Sequence, residues 1–269
     1  MKNVKTELSV ALIASNEEIN LPKCLDSLDG IAEEIILVHN DCVDKTLEVA
    51  REYGVKCFEE KWHGHRDQKN IALSKADKPW VLCLDADERI SPALLASIQS
   101  LLQRDPADEA DGFSFKRKSF FLGRWIRHGD WYPDRKVRLI RNGMGTWKGS
   151  REHDKLHVEG KVGVLEGDLL HFSYPTMNSF ISKIVYFSDI YLQRQLDAGS
   201  KWRLSHVLFR PIWRFIRAYF LRFGFLDGFP GLFIAVSTAF AAFFKHSRLY
   251  ERNGFAQSET PDTFDSTRG

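Results

Sequence analysis

One stretch constrains this chain more than any other: Trp80-Val81-Leu82-Cys83-Leu84-Asp85-Ala86-Asp87-Glu88-Arg89. Val81 to Leu84 is a short apolar run of the kind that forms a buried parallel strand. It ends in Asp85 and Asp87, one residue apart, with Glu88 directly after. Open α/β sheets bind ligands at the carboxyl ends of their strands. Two aspartates leaving the sheet there can turn oxygens towards one hard cation, Mg²⁺ or Mn²⁺, which would also hold substrate phosphates. The plainer alternative is turn and cap chemistry, because Pro92 soon opens a helix.

The segments before this stretch alternate strand and helix. Strands are expected at Leu8–Ala14, Glu34–His39, Val55–Phe58 and Trp80–Asp85, each an apolar run bounded by polar or turn residues. Helices are expected from near Pro22 to about Leu28 behind a cap at Asn20 or a neighbour, up to Tyr53 with Gly54 as its stop, and over Gln68–Ala76 and Pro92–Leu102. This alternation predicts a mostly parallel sheet with helices on both faces. Lys2 and Lys5 precede an apolar run, but Asn16-Glu17-Glu18 follows it where a signal peptide would carry a small-residue cleavage site, so a first strand is expected.

Past Asp111 the pattern changes. Phe113 and Phe115, Val137 and Leu139, and Val162 and Val164 each alternate with polar residues, which predicts antiparallel edge strands with long loops. From Thr176 the period becomes helical, bracketed by Pro175 and Gly199. The expected organisation is a catalytic domain over 1–175, with halves at about 1–104 and 112–175, then a helical region over 176–256. A polar, disordered tail is expected over 257–269.

Several segments together carry a resemblance. Ser9 to Glu18, with its strand and Asn-Glu-Glu, is similar to the opening of family 2 glycosyltransferases of the GT-A fold. Gln68-Lys69-Asn70 followed by Asp85-Ala86-Asp87-Glu88 resembles that family's second half-site. Gly129-Asp130-Trp131-Tyr132-Pro133-Asp134, Arg138-Leu139 and the later Gly224 to Gly228 resemble the bacterial branch that glucosylates lipopolysaccharide inner-core heptose. The likeness spans residues 8 to about 250.

The resemblance implies an inverting, metal-dependent hexosyltransferase using a nucleotide sugar, UDP-glucose, and a lipid-linked glycan acceptor. It implies Asp85 and Asp87 as metal residues, with Asp85 also near the ribose. Ala14, Asn16, Glu17 and His39 would flank the base, and Lys69 would touch the nucleotide or be a surface lysine. Relatives carry Asp where His39 stands. The family's catalytic base lies in a His-Glu pair after the Arg-Leu strand. Asp154 occupies that place, with Glu152 and Glu159 as rivals and a solvated loop as the alternative. Trp131, Tyr132 and Asp134 would wall the acceptor, or the two aromatics would be core. Rival functions are transfer to another glycan or to a polyprenyl phosphate, or a catalytically silent membrane-bound scaffold. Two histidine patterns invite metal readings. His153-Asp154-Lys155-Leu156-His157 would need a helix to bind zinc, and its flanking glycines argue against one. His63-Gly64-His65 reads as a mobile loop over the donor.

The net charge of +2 is unevenly spread: Lys201–Arg252 holds nine Lys/Arg and two Asp/Glu, so +7, leaving −5 elsewhere. Arginines interleave with aromatics there, which predicts helices lying on an anionic membrane, peripheral or monotopic; the resemblance implies that this is the cytoplasmic face of the bacterial inner membrane. Pro211 is expected to kink or divide the first helix, and the uncharged run Gly228–Phe244 to form a helical hairpin at the inner leaflet. The basic residues follow no nucleic-acid-binding pattern, so nucleic acid is not an expected partner. Four cysteines without a C-x-x-C pair predict free thiols.

Overall fold

The computed structural model describes residues 7–28, 30–104, 109–150, 153–174 and 176–254. They fall into two compact units. One takes in the described residues up to Trp125 together with Trp131–Ser173. The other takes in Ile126–Asp130 and the described residues from Tyr174 onward.

The first unit opens with β1 (Leu8–Ala14), α1 (Leu21–Asp26), β2 (Glu34–His39), α2 (Thr46–Glu52), β3 (Lys56–Glu59), α3 (His65–Ser74) and β4 (Trp80–Asp85). It continues with β5 (Glu88–Ile90), α4 (Pro92–Leu102), β6 (Gly112–Phe121), β7 (Arg124–Trp125), β8 (Asp134–Arg141), β9 (Gly145–Ser150), β10 (His153–Val158) and β11 (Val162–His171). A nine-stranded sheet runs β3-β2-β1-β4-β8-β6-β11-β5, with β7 paired to β6, while β9 and β10 form a separate hairpin. The fold is α/β, as expected. β1 to β4 are parallel, and beyond β4 the sheet is mixed.

The continuous apolar runs of β1, β2 and β4 follow from burial on both faces. On one face Leu8, Val10, Leu12 and Leu82 pack with Leu21 and Leu25 of α1 and Leu94 and Ile98 of α4. On the other, Ala11, Val38, Val81 and Cys83 pack with Ala72 and Leu73 of α3 and with Trp147 and Leu156 of the hairpin. Each such fully buried large side chain contributes about 1.5–3 kcal/mol. One polar cluster interrupts this core. Ser9 Oγ donates to Glu34 at 2.6 Å, Lys56 Nζ pairs with the same carboxylate at 2.5 Å, and the Asp77 N–H donates to it at 3.2 Å. Burial alone would raise the Glu34 carboxyl, but the bonds from Lys56, Ser9 and Asp77 win and hold it down at about 2.

Three expectations for this unit are corrected. The strands holding Phe113, Val137 and Val162 are not all antiparallel, and none is an edge. β8 lies antiparallel between β4 and β6, but β11 runs parallel to β6, with β5 outside it. Alternation reports a half-buried strand and not its direction, and the intervening hairpin supplies the long crossover that parallel pairing needs. Asn20 precedes α1, but its amide donates to Glu17 at 2.9 Å and makes no cap bond. His65 belongs to the first turn of α3 and meets the Trp62 ring edge-on, so the histidine loop ends at Gly64. All four cysteines are free, as expected.

In the second unit, α5 (Met177–Asp197) starts from a capping box between Thr176 and Ser179. α6 (Leu204–Ile216) passes into a π-helical turn, Arg217–Leu221, then a 3-10 turn, Gly224–Asp227, and α7 (Gly228–Gly254). One more correction arises here: Gly228–Phe244 is part of one continuous helix rather than a hairpin. Of the two outcomes expected at Pro211, division does not occur, since the proline lies inside α6. A side chain on Gly231 would collide with the Gly224 carbonyl, so α7 begins pressed against the turn before it. Asp227, almost fully buried, accepts the backbone N–H groups of Arg127 (3.0 Å) and His128 (2.8 Å), which fixes the inserted 126–130 segment. The segment Gly224–Arg252 is long and apolar enough to cross a membrane by length and composition alone. Pro175 and the tail over 257–269 lie outside the described residues.

Candidate active site

Parallel register brings the first predicted residues together. Ala14 is paired with His39, and Ile13 with Asp85, so the carboxyl ends of β2, β1 and β4 form one rim. His39 is 8% exposed, and its Nδ1 is buried without a hydrogen bond. Asn16 adopts a left-handed conformation (φ 58°) and its side-chain oxygen accepts the Val43 N–H at 2.9 Å. The Glu17 N–H donates to Thr46 Oγ1 at 2.7 Å, and the Glu18 N–H to Asp44 at 3.0 Å. The loops after β1 and β2 are thereby knitted into one wall. Burial raises the Glu17 carboxyl; the Asn20 bond opposes this, while the charges of Asp87, Asp44 and Asp85 add to it.

Asp85 is the centre of a charge network. Its Oδ1 pairs with Lys69 at 2.9 Å and its Oδ2 with Arg138 of β8 at 2.8 Å. Burial alone would raise its carboxyl, but Lys69 and Arg138 outweigh that and hold it well below the usual carboxylate range. Arg138 also reaches the fully buried Glu88 at 2.8 Å, and Glu88 accepts the Asp85 N–H at 3.1 Å. Buried charges persist only when paired and hydrogen-bonded, so this cluster fixes the turn that carries Asp87.

Lys69 links two halves of the chain, because the same ammonium lies 2.9 Å from Asp154 of β10. Its neighbours explain how it is aimed. Gln68 donates to the Glu60 and Lys61 carbonyls at 3.2 and 3.0 Å. Asn70 exchanges two hydrogen bonds with the Trp147 backbone, at 2.8 and 3.0 Å, which clamps the hairpin to α3. The Trp147 ring then lies 4.6 Å from the Lys69 ammonium and 5.2 Å from the Arg138 guanidinium. Burial would depress the Lys69 ammonium, but Asp85 and Asp154 outweigh burial and the neighbouring Arg138 to raise it.

Asp87 faces His171, the last residue of β11, with Oδ2 and Nε2 3.4 Å apart. A register shift between Val164 and Asp168 and the antiparallel pairing of His171 with Glu88 bring the histidine here. Of the acceptor residues, Asp134 is bound to Arg117 at 2.8 Å and Lys136 at 3.1 Å, and the Trp131 ring packs 5.4 Å from Phe121. Tyr132 donates to Asp168 at 3.0 Å. Asp154 lies in a strand rather than a loop, so residues 153–157 have no helical face for zinc. Glu159 is exposed beyond β10, and Glu152 lies outside the described residues. Among the described residues, no group of three or more His, Cys, Asp or Glu is arranged to hold a metal ion. His171 and the pairings of Glu88 and Arg138 went unread in the sequence. A histidine closing an apolar strand was the available signal, by the same strand-end rule that picked out Asp85.

The model of glycosyl transferase family 2 matches residues 9–153. This chain belongs to that family. Within family 2 it is 32% identical, over 93% of its length and 94% of the relative's, to the lipopolysaccharide core biosynthesis glycosyltransferase LpsC of Rhizobium meliloti. It is 26% identical to an uncharacterized glycosyltransferase of Rickettsia typhi, over 91% of this chain and 87% of that one. Among solved structures, Staphylococcus aureus TarS 1–349 covers 97% of this chain and 98% of its own at 15% identity, with a TM-score of 0.47. As a family 2 member, the protein is a glycosyltransferase.

Proposed function

We propose that the protein transfers glucose from UDP-glucose, with inversion, to a heptose of the lipopolysaccharide inner core at the cytoplasmic face of the inner membrane. One observation carries this reading: Lys69 joins Asp85, at the nucleotide rim, to Asp154, on the hairpin. A donor on the β1–β2–β4 rim would have its base against Ala14, Asn16, Glu17 and the unpaired His39 nitrogen, and its ribose near Asp85. The diphosphate would lie towards Asp87, with Lys69 offering positive charge to it. Asp154 would accept the proton of the acceptor hydroxyl as that oxygen attacks the anomeric carbon opposite the leaving diphosphate.

The carboxylates of Asp85 and Asp87, at the end of β4, are oxygen donors that suit Mg²⁺ or Mn²⁺, although both Asp85 oxygens already face cations. Asp87, oriented by His171, and the remaining Asp85 lone pairs would hold the ion together with substrate phosphate oxygens, and the bound ion supplies charge neutralisation for the leaving diphosphate. Trp131 and Asp134 would border the acceptor, with Asp134 kept in place by Arg117. The name of the Rhizobium meliloti relative supports the acceptor class. The second unit would lie on anionic lipid, with Phe209, Ile212, Trp213 and Phe220 exposed among arginines.

The test is calorimetry of the full chain against a panel of nucleotide sugars, with and without Mn²⁺, followed by transfer assays on inner-core and other acceptors. Tightest binding of UDP-glucose with Mn²⁺, and transfer to heptose, is the expected result. Preference for another donor, or transfer only to a polyprenyl phosphate, would overturn it.

A further inference from the structure

Arg210, Arg214 and Arg217 follow one another at i, i+4 and i+7, so they line one face of α6 and the turn after it. Arg217 reaches Asp130 Oδ2 at 2.6 Å, Arg214 stands 3.7 Å from the same oxygen, and Arg222 is 3.6 Å from Oδ1. Three guanidinium groups therefore share one carboxylate, whose side chain is only 9% exposed. Across from them on α7, Lys245 is pushed down by burial and by the nearby Arg214 and Arg210 charges. Among the described residues, Asp130 is the one carboxylate paired with any of these five cations.

Such a cluster repels itself and has donors to spare. Arg217 Nε is buried without a hydrogen-bond partner, although half or more of each neighbouring arginine remains within the protein and the rest meets solvent. Guanidinium forks match the terminal oxygens of a phosphate better than they match a diffuse negative surface. Ile212, Trp213, Phe220 and Leu221 lie exposed on the same helical run, each at least half open to solvent. An apolar rim beside an arginine cluster fits a molecule with acyl chains and a phosphate head.

We infer that Arg214, Arg217 and Arg222, poised around Asp130, form a binding site for the phosphate monoester headgroup of a membrane lipid. This rests on the membrane reading above and sharpens it from a charged surface to a chemical group. Asp130 holds the three arginines together in the absence of lipid, and the phosphate supplies the anions that one carboxylate cannot.

The test uses full-length protein and neutral vesicles doped with phosphatidic acid, a monoester, or phosphatidylglycerol, a diester, matched for surface charge. The protein should bind the monoester vesicles about tenfold more tightly, the worth of one added charge-assisted hydrogen bond. Arg214→Gln with Arg222→Gln, both partly exposed positions, should erase that preference. Lys201→Gln with Arg203→Gln should weaken binding to both vesicles and leave the preference intact. Equal affinity for the two lipids, or a preference that survives the Arg214/Arg222 change, would overturn the site. Calorimetric binding of inorganic phosphate as tight as the vesicle binding would overturn the lipid as its source. Failure to sediment with any vesicle would instead remove the membrane reading itself.

Discussion

Lys69 Nζ and Asp154 Oδ2 stand 2.9 Å apart, yet that buried carboxylate oxygen accepts no hydrogen bond. The contact is an ion pair without hydrogen-bond alignment, so Asp154 is held close by charge while keeping a lone pair uncommitted. That suits a group that must take a proton from an incoming hydroxyl. Asp154→Asn should lower the transfer rate by about 10²–10⁴ while donor affinity persists, the usual worth of a general base. Asp154→Glu should keep part of the activity. Near wild-type transfer by the asparagine variant would move the base to Glu152 or Glu159. Lost donor affinity would place Asp154 in the nucleotide site.

Asp87 and His171 make a second prediction. Either Asp87→Ala or His171→Ala should weaken Mn²⁺-dependent donor binding by about 10–100-fold, the cost of losing a metal-site contact. Thermal unfolding should be nearly unchanged in Asp87→Ala, whose side chain is a quarter exposed at the sheet rim. Calorimetry with and without Mn²⁺ reads the difference, and equal metal dependence in both variants would exclude the pair.

Glu34 sets a pH prediction. Its carboxyl lies near 2 in the folded protein against an ordinary 4.5, so its contribution is complete above the ordinary value and fades as pH falls towards 2. Glu34→Gln should cost about 1–3 kcal/mol at neutral pH, the range for leaving buried donors poorly paired. The gap between variant and wild type in denaturant melts should narrow steadily below pH 4.5. A gap independent of pH would mean that the carboxylate charge contributes nothing.

Gly167 tests the bulge that carries β11 to the site. Its φ is +103°, and a Cβ there would lie 2.3 Å from the Leu94 nitrogen in α4. Gly167→Ala should destabilise the protein by about 1–3 kcal/mol through strain. It should also weaken donor binding if His171 is displaced with the strand. A melting temperature equal to wild type would show that the bulge relaxes freely.

Much of the first half was legible because local sequence and tertiary burial agree there. β1, β2 and β4 are buried on both faces, so their apolar runs announced both themselves and the carboxylates at their ends. The Gln68-Lys69-Asn70 cluster was visible as a motif, but its job was not. Gln68 and Asn70 position the helix and hairpin, while Lys69 spans to a residue far along the chain. Strand direction beyond β4 could not be read, since alternation is the same for β8 and β11. Asp130 stood out only as part of the Gly129–Asp134 segment that carries the resemblance, and only the fold shows it among three arginines from the chain's last third. The helical content past Thr176 was legible from its period, but not the continuity of α7, because Pro230, Ser237 and Thr238 look like breaks; Pro230 falls in the first turn, where its missing N–H breaks no helical bond, and Ser237 is buried within the helix.

The 126–130 segment has a consequence for how this chain can be divided. Its backbone hydrogen bonds end on Asp227 and its carboxylate on Arg217, both supplied from far downstream. A stop codon after Ser173 would not release an intact catalytic fragment. It would strand five residues in the middle of that fragment without the hydrogen-bond and charge partners they have in the whole chain. The helical unit is therefore no detachable cassette: gene fusions that graft it onto another transferase must carry the short loop along with the tail.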